Sequence, residues 1–276
     1  MADGTPGESS RAGSGMRWSP TQYDLFQSHR ATPFFDLTSR ISSQEPGPRR
    51  VVDLGCGPGS LTRTLAERWP DAEVVGVDSS LDMIRQARSQ ADLPPNLSFV
   101  IGDIASWEPG PRDDVVVTNA ALQWVPGHQR LLPGWFDALP AGGWFAMQVP
   151  GSSTNRSHEL LRELAASPRW EPLLRDVIRP EENVSSASAY LTQMLECGLE
   201  ATSWETTYEH LLQGDDPVLE WVRGTSLRPV LTALGPDDRA EFEASYRALL
   251  ADAYPTGRFG TIYPFRRIFA VGRKPA

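Results

Sequence analysis

Val51-Val52-Asp53-Leu54-Gly55-Cys56-Gly57-Pro58-Gly59 is the stretch on which the reading of this chain turns. A short apolar run carrying one acid gives way to alternate glycines, and SLTRTLAERW then shows helical spacing up to Pro70. Strand, glycine turn and helix in that order make a loop on which a ligand can rest, because glycine tolerates positive φ and lets backbone approach closely. A plain strand-to-helix turn has no need of three alternate glycines. A nicotinamide fingerprint, G-x-G-x-x-G, would place its last glycine at position 60, and this chain has Ser60 there.

Outward from that loop the pattern repeats. EVVGVD (73–78) reads as a second strand and SSLDMIRQARSQ as a second helix, capped by Ser79 or Ser80. LSFVIGD, DDVVVTNA and GGWFAMQVP read as the third, fourth and fifth strands. Nearly continuous apolar strands alternating with helices predict a parallel sheet covered on both faces. Beyond Pro150 the pattern loosens: two helical stretches, a candidate strand EATSWETTYEHLL, two further helical segments from Asp216 to Pro255, and a closing strand over Ile268–Val271. Upstream, WSPTQYDLFQSHRATPFFDLTSRI suits an amphipathic helix interrupted near Pro33. The fold class expected is α/β, with a helical insertion near the C-terminus.

Composition narrows the function. The 276 residues carry 26 basic and 35 acidic side chains, a net charge of −9, which disfavours a general nucleic-acid binder. Lys274 is the sole lysine, so cationic recognition falls to guanidinium forks, which match carboxylates and phosphates. Cys56 and Cys197 form no CxxC pair, and His29, His128, His158 and His210 lie too far apart for a zinc spacing, so no metal is expected. No apolar run has the length of a membrane helix. The first fifteen residues are small and polar and lack the apolar core of a signal peptide. A cytoplasmic protein with no membrane, nucleic-acid or obligate protein partner is the expectation.

The glycine loop resembles motif I of the class I S-adenosylmethionine-dependent methyltransferases. Asp78 ends the second strand 19 residues after Gly59, close to the spacing of a ribose-binding acid, and its neighbour is Ser79. The resemblance implies S-adenosyl-L-methionine as cofactor and a mostly parallel, seven-stranded Rossmann-like sheet. It implies loop contacts from Gly55, Cys56, Gly57 and Gly59, with Cys56 pointing back under the loop and Asp53 meeting the cofactor ammonium indirectly. It further implies adenine contacts from Met83, Asp103 and Ile104, and a rim around the methionine moiety from Asn119 and Ala120.

The wider chain is similar to the trans-aconitate methyltransferase branch of that superfamily. The motifs are Trp18, Pro20, Tyr23, Phe26, Arg30 and Pro33; NAALQW at 119–124; WETTYEH at 204–210; WVRGTSLRP at 221–229; and YPFRRIF at 263–269. Thr32 departs from the family, which often has a second arginine there. A tricarboxylate acceptor calls for arginines, and the branch motifs supply Arg30, Arg228, Arg266 and Arg267. The expected acceptor surround adds Trp18 and Tyr23 as a lid, Gln123 and Trp124 as a methyl channel, and Tyr208, His210 and Tyr263. No catalytic acid or base is assigned, because a carboxylate with a reference pKa of about 4 is already ionised. A malonyl thioester or another small molecule is the alternative acceptor. A noncatalytic cofactor-binding protein and a nicotinamide oxidoreductase are the rivals in other classes. The expected organisation is a flexible tail (1–16) and one domain (17–276), comprising a helical lid (17–45), a cofactor core (46–150) and an acceptor half (151–276).

Overall fold

The computed structural model describes residues 27–42, 46–151, 154–178 and 184–276. The expected tail (1–16) and the start of the expected lid, including Trp18 and Tyr23, lie outside them.

Seven strands form one sheet: β1 (Arg50–Leu54), β2 (Glu73–Asp78), β3 (Leu97–Ile101), β4 (Asp113–Asn119), β5 (Trp144–Pro150), β6 (Glu200–Leu212) and β7 (Thr261–Arg273). Their spatial order is β3-β2-β1-β4-β5-β7-β6. The first five run parallel, and β7 enters antiparallel between β5 and β6. The chain reverses direction across the sheet between β1 and β4, and open α/β sheets bind ligands at the carboxyl ends of the strands beside such a switch point.

Helices cover both faces. On one lie α1 (Gln27–Thr38), α2 (Ser60–Arg68) and α3 (Leu81–Arg88), packed on Val51, Val74, Val115, Val117, Ala146 and Phe269. The other face holds α4 (Leu132–Ala138) and, after α5 (Arg156–Ala165) and the short α6 (Glu171–Leu174), α7 (Ala187–Glu196). Its core contains Val52, Val116, Phe136, Phe145, Met147, Tyr190 and Met194. Between β6 and β7 stands the helical insertion, α8 (Pro217–Arg223), α9 (Arg228–Ala233) and α10 (Pro236–Ala253), which shares a third core with α5 and α6.

Two expectations need correction. Helix α1 runs through Pro33 without interruption. A helical proline forfeits one backbone bond and crowds the preceding turn, and here burial of Phe34, Leu37 and Ile41 against the sheet offsets that cost. The last strand begins at Thr261, well before Ile268. From Thr261 to Arg266 it pairs with β6 alone, beyond the end of β5, so the two strands rise as a ribbon above the carboxyl edge. Polar residues in YPFRR hid that extension, because only one side of the ribbon packs on the insertion.

Candidate active site

The loop after β1 is anchored from below: the Gly55 and Cys56 amides donate to the Val77 carbonyl at 2.7 and 3.0 Å. Gly59 has φ 81° and caps α2, and a Cβ there would come within 2.5 Å of the Phe99 ring, so it permits close helix-to-strand packing. Gly57 differs. Its φ is 54°, and a Cβ added to it would meet nothing within 4 Å, so open space stands over the loop. The adjoining carboxylate is Asp78, whose Oδ2 accepts from the Gly57 amide at 2.9 Å and Oδ1 from the Ser80 amide at 2.8 Å. Burial raises the Asp78 pKa, and these two amides oppose the rise. Ser79 is exposed beside it, and Ser80 caps α3, accepting from the Met83 amide at 3.4 Å. Met83 is buried one turn on.

Asp103 lies two residues past the end of β3, exposed, accepting from the Ala105 amide at 2.9 Å, with Ile104 buried behind it. At the end of β4, Asn119 is followed by Ala120 at φ 54°. The Ala120 amide donates to the Gln148 carbonyl at 2.9 Å, and Gln123 Nε2 donates to the Ala120 carbonyl at 2.6 Å. Asp53 sits beneath the loop, accepting from Thr62 Oγ1 at 2.6 Å. Burial and the nearby Asp78 push its pKa up to about 7, against the Thr62 hydrogen bond. The Cys56 thiol points into the core, where a Cβ on Gly76 would lie 2.9 Å from its sulfur. Burial, Asp53 and Asp78 all raise its pKa, so it stays a thiol.

The acceptor expectations divide. Arg267 is 4% exposed, on the α1 face of β7, level with Pro150 at the end of β5. Its guanidinium lies 4.5 Å from the Phe265 ring centre and 3.5 Å from Gln148 Oε1. Tyr208, on the same side of β6, donates to Asp36 of α1 at 2.5 Å. Burial and that carboxylate raise the phenol's pKa. His210 is buried farther along the ribbon, stacked on Trp221 at 4.9 Å. Gln123 and Trp124 occupy a single helical turn just past β4. Arg228 opens α9 in the insertion, and Arg30 falls in the first turn of α1.

Two expected acceptor residues point elsewhere. Arg266 alternates to the opposite face, where its fork holds Glu205 through bonds of 2.9 and 2.6 Å and also reaches Thr154. That pairing commits the Nε/Nη2 edge of the guanidinium to Glu205 and turns Nη1 to Thr154, away from the α1 face. Tyr263 is wholly buried in the insertion core, with its hydroxyl 3.0 Å from Ser157 Oγ. Sequence reasoning missed Gln148; the available signal was a lone polar residue inside the apolar strand WFAMQVP.

Residues 51–143 match the family model described as a methyltransferase domain. The Streptomyces avermitilis protein named trans-aconitate 2-methyltransferase is 49% identical over 262 residues, which is 94% of this chain and 97% of that relative. The chain belongs to the trans-aconitate 2-methyltransferase family. It is thus an S-adenosylmethionine-dependent methyltransferase. Structural likeness agrees on the fold. The Bacillus YcgJ protein superposes with a TM-score of 0.57 at 18% identity, covering 90% of this chain and 99% of that one. Haemonchus contortus phosphoethanolamine N-methyltransferase 2, solved with S-adenosyl-L-methionine, gives 0.52 at 15% identity, covering 89% of this chain and 53% of that one.

The loop suits the family's cofactor. Open space over Gly57, the Asp78 carboxylate beside it and a buried Asn119 Oδ1 that meets no donor are what a zwitterionic nucleoside would need. Among the described residues no cluster of side chains could hold a metal ion, and no helix is long and apolar enough to cross a membrane.

Proposed function

We propose that this enzyme methylates a carboxylate oxygen of trans-aconitate or a closely similar small polycarboxylate, giving a monomethyl ester. The observation that carries the reading is Arg267: a buried guanidinium at the carboxyl edge, on β7, with β4 and β5 between it and the strand that leads into the cofactor loop, backed by Phe265 and Gln148. Arginine forks bind carboxylates bidentately, and the net charge of −9 requires a local reversal of potential to admit a polyanion.

In this reading residues 46–150 hold the cofactor, and 151–276 shape the acceptor site together with the N-terminal lid. Asp78 takes the ribose hydroxyls, Asp103 and Met83 the adenine, and Asn119 with Ala120 the methionine end. The cofactor supplies an electrophilic methyl group on a sulfonium. Arg267 grips one acceptor carboxylate and so fixes the orientation of the molecule, while Trp124 and Gln123 border the path between the two sites. No side chain has to remove a proton, because the attacking carboxylate is ionised near neutrality. Rate enhancement then comes from alignment and from the exclusion of water.

The test is transfer of labelled methyl from S-adenosylmethionine to a panel of aconitates and other small polycarboxylates, with malonyl thioesters alongside. Ester formation on a tricarboxylate at much higher kcat/KM than on the thioesters supports the reading. The reverse order would replace it with the thioester acceptor.

A further inference from the structure

Gln148 is a buried polar side chain at this edge with hydrogen-bonding capacity left over. It stands in β5 between Met147 and Val149, with no solvent exposure. Its Oε1 is turned to the Arg267 guanidinium, 3.5 Å away. That leaves Nε2 as the donor end, and Nε2 is buried and meets no acceptor. In register on β4 is Asn119, whose Oδ1 is likewise buried without a donor. Buried polar groups are nearly always hydrogen-bonded, and the exceptions call for a cause. Here an unused donor on the acceptor side and an unused acceptor on the cofactor side lie next to each other, at the carboxyl ends of neighbouring strands.

We propose that Gln148 determines acceptor specificity: its Nε2 donates to an oxygen of the carboxylate that Arg267 grips, while its Oε1 orients the guanidinium. The inference rests on the polycarboxylate reading above. A carboxylate suits the pair because it offers lone pairs on two oxygens and no hydrogen. The fork takes one lone pair on each oxygen, and the amide takes a further lone pair on one of them. A carboxamide or alcohol at that position would set donor against donor or leave the amide unmatched. Sites built around such buried polar pairing reject analogues that cannot complete it.

The experiment compares wild type, Gln148→Glu and Gln148→Leu on a tricarboxylate and on dicarboxylates that each lack one of its carboxylates. Cofactor affinity is measured by calorimetry and stability by melting. Gln148→Glu keeps the shape but turns the donor into a repelling carboxylate that also captures Arg267. It should raise the tricarboxylate KM at least about tenfold, with cofactor affinity nearly unchanged. Gln148→Leu should lose less. In both variants the penalty should vanish on the one dicarboxylate that lacks the contacted carboxylate, as in a double-mutant cycle. Equal losses on every acceptor, or losses that follow cofactor affinity and melting temperature, would overturn the inference and leave Gln148 a packing residue. If wild type methylates the tricarboxylate and both variants keep its preference, the inference alone fails. If wild type methylates no polycarboxylate, the functional reading and the inference fall together.

Discussion

Asp78 and Arg267 carry the two most direct tests at the scale of single residues. Each Asp78 oxygen accepts one backbone amide, from Gly57 and from Ser80, and a carboxylate oxygen has further lone pairs for a ligand. Asp78→Ala should therefore lower S-adenosylmethionine affinity at least about tenfold, since hydrogen bonds to a charged group contribute roughly 1.5–3 kcal/mol each. Calorimetry on the folded variant checks it, and unchanged affinity would take Asp78 out of the cofactor site. Arg266 and Arg267, adjacent in sequence, should behave oppositely. Arg267→Lys replaces a buried fork with a point charge and should depress the acceptor's kcat/KM while sparing cofactor affinity. Because Arg267 is buried, some loss of stability should accompany it. Arg266→Lys disturbs a partly exposed pair with Glu205, worth about 0–1 kcal/mol, and a hydrogen bond to Thr154, and should leave kinetics near wild type. Steady-state kinetics of the two variants side by side would show whether the acceptor site has been placed on the correct face of β7.

The loop between β1 and α2 divides its labour among glycines, and the division can be measured. Gly59→Ala would drive a methyl into Phe99 at a backbone φ of 81°. It should cost stability through both clash and strain. Gly57→Ala meets no protein atom, so its stability cost is confined to the left-handed backbone, roughly 1–2 kcal/mol. Its methyl would instead enter the space assigned to the cofactor, so affinity should fall more than melting temperature does. A Gly57 variant with full affinity would place the cofactor elsewhere. This loop was legible in the sequence because strand, glycines and helix are consecutive, and so were the places of Asp78 at the end of β2 and of Asp103 just past β3. The acceptor side was less legible. Arg266 and Arg267 are indistinguishable as letters, and only the two-residue alternation of β7, fixed by pairing with β5 and β6, sends one to the edge and the other to Glu205. Tyr263 had the composition of a pocket wall, yet the insertion helices close over it. Pro33 read as a break because local propensity is visible in sequence, whereas the burial that overrides it depends on a sheet assembled from distant segments.

For the whole molecule, stability against pH records what the site costs the fold. Asp53 is buried in the sheet beneath the glycine loop, with a pKa raised from the ordinary 3.8 to about 7. Between those values the native state holds a proton that the unfolded chain has released, so Asp53's contribution is fully present below about pH 4 and is lost as pH rises through about 7. His158 acts in the opposite sense. Burial and the Arg162 charge lower its pKa from 6.5 to about 4, so the unfolded chain binds the extra proton and stability falls on acidification across that range. The wild-type melting curve therefore mixes two opposed slopes in the acid window, and the difference between wild type and Asp53→Asn isolates one of them. Asparagine keeps the shape, and its oxygen can still accept from Thr62, but it never ionises. At about pH 4 the two proteins should melt close together, and the variant should gain on wild type as pH rises, levelling off above about pH 7. A shift of that size is worth roughly 4 kcal/mol at most, since each pKa unit is about 1.4 kcal/mol. Several degrees in melting temperature above neutrality is the expected reading. A difference that stays flat from about pH 4 to pH 8 would mean that Asp53 is ionised at no cost to the fold, and the account of a carboxylate kept under strain beneath the cofactor loop would be wrong.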